Sequence, residues 1–140
     1  MKKIIFLLLL ITSILFGSDL KTQQKIYTLI THVLLPEKKE VKVWADSLSN
    51  RELMQNVPHT ILVNSPQEAD FILLQNHQQK GVHGLIFVTN LQLLRALQSE
   101  AIGGFFWQKG RPNILFLRHN LEKHHITLPS SMQEYIEDEL

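Results

Sequence analysis

The chain has 140 residues, with 14 Lys or Arg against 13 Asp or Glu, seven His, no Cys and 44% hydrophobic side chains. This length argues for one domain, and the lack of Cys excludes disulfides, thiolate metal sites and a lipid-modified Cys. The formal charge of +1 becomes about −1 without Lys2 and Lys3, and no basic face remains that would suggest nucleic acid.

Lys2 and Lys3 precede an apolar run from Ile4 to Phe16, broken only by Thr12 and Ser13, and Gly17-Ser18 supplies small residues for cleavage. Residues 1–17 read as a secretory signal peptide, leaving a single α/β domain over 18–140. About 13 apolar residues reach roughly 20 Å, short of the roughly 30 Å hydrocarbon core, so no stable membrane insertion is expected after cleavage. The mature chain is expected in the periplasm.

Leu20, Ile26, Tyr27, Leu29, Ile30, Val33 and Leu34 recur at helical spacing, with Ser18 or Asp19 as a cap and Pro36 as the stop. Val41 to Ala45 alternates as a strand does. Ser49 or Asn50 can cap a short helix from Arg51 to Asn56, which Pro58 ends. Thr60 to Val63 is a second strand, and Ser65 to Glu68 fits a capping box with Pro66 at the first helical position. Phe71–Leu74 and Leu85–Val88 are unbroken apolar runs, the pattern of strands buried on both faces. Thr89 or Asn90 then caps a helix from Leu91 to Glu100.

Gly103 to Leu117 carries the strongest local signal. Two apolar runs flank Lys109-Gly110-Arg111-Pro112-Asn113, which reads as a hairpin with a five-residue connection. Phe105 and Trp107 share one face and Phe106 takes the other, so the hairpin is expected to be covered on both sides. Gly103 and Gly104 let another backbone approach or the chain bend. A short helix over Leu121 to His125 and a closing helix over Met132 to Leu140, with Met132, Tyr135 and Ile136 inward, complete the chain. The order predicts a three-layer α/β sandwich with a mixed, mostly parallel sheet and a C-terminal β-hairpin followed by a closing helix.

No catalytic signature stands in this pattern. A nucleophile elbow and a placed carboxylate pair are both missing, Gly81-Val-His-Gly84 lacks phosphate-loop spacing, and no enzyme activity or cofactor is expected. His119, Glu122, His124 and His125 lie close in sequence but match no established zinc spacing, so no metal is expected either. His77 and His83 occupy a polar loop. Two sets of residues remain. Asp46, Asn64, Asn76 and Asn90 directly follow four strands and would line a crevice at their carboxyl ends, the place for a small ligand, although Asn and Asp are also ordinary loop starters. Lys109 and Arg111 sit at the hairpin tip with Trp107 nearby. The plainer reading is a solvated turn beside a core Trp; the alternative is a partner surface with Trp107 as anchor and the cations forking to carboxylates.

The elements in this order resemble the YfiR-like family of small exported bacterial proteins, which are similar to half of a periplasmic binding protein. The residues that carry the resemblance are the helix over Ile26 to Pro36, Ala69-Asp70 opening the strand Phe71–Leu74, Gly103-Gly104, Gly110, Asn120-Leu121 and Leu128-Pro129-Ser130-Ser131. The resemblance implies a non-enzymatic periplasmic regulator. Its partner would be the extracytoplasmic sensor region of an inner-membrane signalling protein, such as a diguanylate cyclase or sensor kinase, with a homodimer as a further possible assembly. The chain departs from the family in lacking the cysteines that some members use for redox-sensitive disulfides, and in having Leu35 where a Trp often precedes the Pro.

Overall fold

A computed structural model describes residues 19–76 and 79–140 of the chain. The leader expected over residues 1–17 and His77 of the polar loop lie outside the described residues. Among those described, no helix is long and apolar enough to cross a membrane.

The architecture is an α/β sandwich around one seven-stranded sheet of order β2-β1-β3-β4-β5-β6-β7. The strands are β1 (Val41–Ala45), β2 (Thr60–Leu62), β3 (Phe71–Leu74), β4 (Leu85–Val88), β5 (Ala101–Gln108), β6 (Arg111–Leu117) and β7 (Ile136–Glu137). The first five run parallel, β6 returns antiparallel to β5, and β7 lies parallel to β6. The helices are α1 (Asp19–Leu34), α2 (Leu48–Gln55), α3 (Leu91–Ala96) and α4 (Arg118–Lys123), with short 3₁₀ turns at Pro66–Glu68 and Ser130–Tyr135.

Two apolar layers follow from strand alternation. Phe71, Leu73, Leu85 and Phe87 point to one side, where Tyr27, Ile30 and Val33 of α1, Leu53 and Met54 of α2, and Met132 cover them. Ile72, Leu74, Ile86 and Val88 point to the other, under Leu94 of α3. Both faces of β3 and β4 are thereby dry, which is why their sequences are apolar without interruption. Phe87 centres the thicker layer, with Tyr27 edge-on at 6.1 Å, Phe71 at 5.6 Å and Phe116 at 6.2 Å between ring centroids. Burial pushes the Tyr27 phenol well above its ordinary pKa.

The glycines of β5 have a steric cause. Its register against β4 slips between Ile86 and Phe87, which pair with Ala101 and Gly103 and leave Ile102 as the extra residue of a bulge. A Cβ on Gly103 would stand 2.2 Å from the Leu115 carbonyl oxygen of β6, and one on Gly104 would stand 3.0 Å from Val88. The slip also explains why Ile102 and Phe105, three apart, share one layer.

Several boundaries differ from the sequence reading, among them the helix after β4, which stops at Ala96 rather than Glu100, and the one after β6, which runs over Arg118–Lys123 rather than Leu121 to His125. The hairpin connection is two residues, Lys109 and Gly110, because both take positive φ (52° and 74°), as a tight turn matched to strand twist requires; Arg111, Pro112 and Asn113 join β6. Pro112 is tolerated there because β7 reaches only Phe116 and Leu117. The closing helix is a 3₁₀ turn that gives way to β7, since pairing Ile136 with Phe116 satisfies backbone groups that a free helix end would leave open. α2 starts at Leu48 because Ser47 supplies the cap, accepting from the Asn50 N–H at 3.2 Å. Ser65 makes no side-chain cap bond to its single 3₁₀ turn. The three-residue edge strand β2 leaves Ile61 and Leu62 exposed.

Candidate functional site

The strand order 2-1-3-4-5 places a topological switch between β1 and β3, and in open α/β sheets ligands gather outside the carboxyl ends at such a point. The chain fills this place with its own hydrogen bonds. The Asp46 carboxylate, directly after β1, accepts from the backbone N–H groups of Gln75 and Asn76 after β3, each at 2.8 Å. Asn90 donates from Nδ2 to the Gln75 carbonyl at 2.8 Å while its Oδ1 accepts from Leu93 N–H at 2.7 Å and caps α3. Asn50 donates to the Gln75 side-chain oxygen at 3.3 Å.

Three of the four residues expected to form a crevice, Asp46, Asn76 and Asn90, thus converge on the end of β3. Asn64 does not; it is exposed after the edge strand and makes no side-chain hydrogen bond among the described residues. Gln75, the hub of the cluster, was not singled out by sequence. Its only signal was a polar residue next to an apolar strand end, which any loop offers.

On the hairpin, Trp107 is 43% exposed, which corrects its reading as a core residue. The bulge and tight turn carry Phe105 under α1, within 5.9 Å of Tyr27, and leave Trp107 one pleat further out, 6.3 Å from Phe105. Lys109 and Arg111 are exposed beside it, and neither side chain forms an ion pair among the described residues.

The opposite, amino end of the sheet is built differently. Asp70, just ahead of β3, accepts from Lys42 N–H at 3.0 Å and pairs with Lys38 at 3.1 Å. Around this clamp open several clefts. One of about 500 Å³ is lined in part by His32, Lys38, Lys39 and His59. A second, of about 310 Å³, shares Lys38 and adds His124 and His125. A third, of about 470 Å³, shares His124 and adds Lys80, His83, Glu100 and Lys123. Five of the six described histidines therefore lie on this pole. The sixth, His119, bonds the Gln98 carbonyl at 2.8 Å instead, beside Asn120, which donates to Gln98 and Ala101. Burial, then the charges of Lys123 and His125, hold His124 below the ordinary imidazole pKa. Among the described residues no three His, Asp or Glu side chains converge to hold a metal ion.

Comparison with protein-family models, curated proteins and solved structures finds no match.

Proposed function

We propose that the chain is a non-enzymatic regulatory or accessory protein of the periplasm that binds the extracytoplasmic sensor region of an inner-membrane signalling protein, such as a diguanylate cyclase or sensor kinase. The observation that carries this reading is the half-exposed Trp107 beside the hairpin turn, with Lys109 and Arg111 exposed nearby and in no ion pair among the described residues. Exposing a Trp costs folding energy that burial would recover, and Trp and Arg are the side chains most often found as interface anchors. The YfiR-like resemblance, carried by Ala69-Asp70, Gly103-Gly104 and Asn120-Leu121, supports the same class of protein.

The alternative is a small-ligand module at the carboxyl ends of the strands. It is weaker because Asp46 and Asn90, the groups that would recognise such a ligand, already bond the chain's own backbone.

Cross-linking of tagged protein in intact cells, followed by fractionation, tests the proposal. The chain is expected in the periplasmic fraction, cross-linked to a membrane signalling protein, with capture lost in Trp107→Ala and reduced in Arg111→Glu. Capture unchanged in Trp107→Ala, or a cytosolic location with the leader intact, overturns it.

A further inference from the structure

We propose that the cleft between the Lys80–Gly84 loop and the end of α4 is a binding site for a compact anion bearing phosphate-type groups. This site goes beyond the hairpin surface and does not depend on it.

The cleft holds Lys80, His83, Lys123 and His124 against Glu100, whose own interactions leave it partly engaged. Two lysines less one glutamate give about one positive charge with neutral imidazoles, and protonation of His124 adds a second. His124 is also faced across the adjoining cleft by Lys38 and Glu37, and along the chain by Lys123 and His125. Lys38 is itself paired with Asp70, so the positive charge of the cleft comes from its own lysines, Lys80 and Lys123. Lysine is a point charge that suits multivalent phosphate oxygens, whereas arginine supplies the planar fork that matches carboxylates, and this cleft has lysine without arginine. Its volume of about 470 Å³ suits a small ligand.

Acid strengthens the site. Protons that burial, then the charges of Lys123 and His125, keep off His124 in the free protein become favourable once an anion occupies the cleft, so proton uptake and binding are linked. The phosphate groups can belong to a free oligophosphate or to a lipid headgroup, and the test separates the two.

Calorimetric titration with trimetaphosphate, whose groups stay ionised throughout, is carried out at about pH 7.5 and about pH 5.5. A parallel arm measures co-sedimentation with phosphatidylglycerol vesicles and with neutral phosphatidylcholine vesicles. Saturable binding about tenfold tighter at the acid pH is expected, with the His124 imidazole resonances titrating higher when ligand is present. Lys80→Ala with Lys123→Ala is expected to abolish this, and Arg95→Ala, on α3, to leave it intact. Binding in the trimetaphosphate arm identifies a free anion; binding only to anionic vesicles identifies a headgroup. Failure of both, binding that does not tighten with acid, or binding indifferent to the lysine substitutions overturns the site.

Discussion

The two ends of the sheet use the same device for opposite results. At the carboxyl end Asp46 draws β1 and β3 together by accepting two backbone N–H groups, and Asn90 and Asn50 close the rest over Gln75. At the amino end Asp70 also bridges β1 and β3, but it is ringed by clefts lined with histidine and lysine. A carboxylate clamp is thus a framework element at both poles. Free recognition groups remain only where backbone donors do not consume them, and that lesson moves attention from the usual crevice of an α/β sheet to its other end.

The contrast can be broken most severely at Gly84, where an added Cβ would stand 2.4 Å from the Ala69 carbonyl oxygen and 2.8 Å from Asp70. Gly84→Ala is expected to cost about 3 kcal/mol or more, read by urea unfolding, because backbone rather than a flexible side chain must yield. Asp46→Ala removes two charge-assisted bonds and leaves two N–H groups without their acceptor, for an expected loss of about 2–3 kcal/mol. The same variant is expected to speed hydrogen exchange at Gln75 and Asn76, which distinguishes a clamp from a ligand residue. Asp70→Ala gives up one such bond and a half-exposed pairing with Lys38, and about 1.5 kcal/mol is expected from thermal unfolding.

The smallest effect concerns pH. His124 has a folded pKa below its unfolded value, so the unfolded chain binds the extra proton first. Stability tied to this group is complete above the ordinary imidazole value of about 6.5 and is lost as pH falls below it toward the depressed folded value. A melting temperature that declines modestly through this range, and less so in His124→Gln, is the expected result. Trimetaphosphate is expected to offset the decline.

Much of this arrangement was legible in the sequence because it rests on burial. Phe71–Leu74 and Leu85–Val88 are apolar on both faces, and strands of that kind belong to a covered parallel sheet. The crowding of β6 against Gly103 likewise left its mark as a missing side chain. What was not legible depends on contacts distant in sequence. The Met132, Tyr135 and Ile136 spacing fits a helix, yet the short run is claimed by the open side of β6. Asp46, Asn76 and Asn90 come together at the end of β3, but the pairing of the Asp46 and Asn90 side chains with backbone groups 15 to 30 residues away has no local signature. The gathering of five histidines at one pole, drawn from four separate stretches of chain, is equally invisible before the strands are ordered.

The sheet is seven strands wide but tapers at its rims, to three residues in β2 and two in β7. A rim strand as short as β2 offers an incoming chain few free hydrogen-bonding groups, so it is a poor template for strand-by-strand growth into fibrils even with Ile61 and Leu62 uncovered, and on the other side Pro112 interrupts the edge of β6 that β7 leaves open. A short rim on one side and an edge proline on the other thus shield the greasy central strands from the long unbroken border on which aggregation starts.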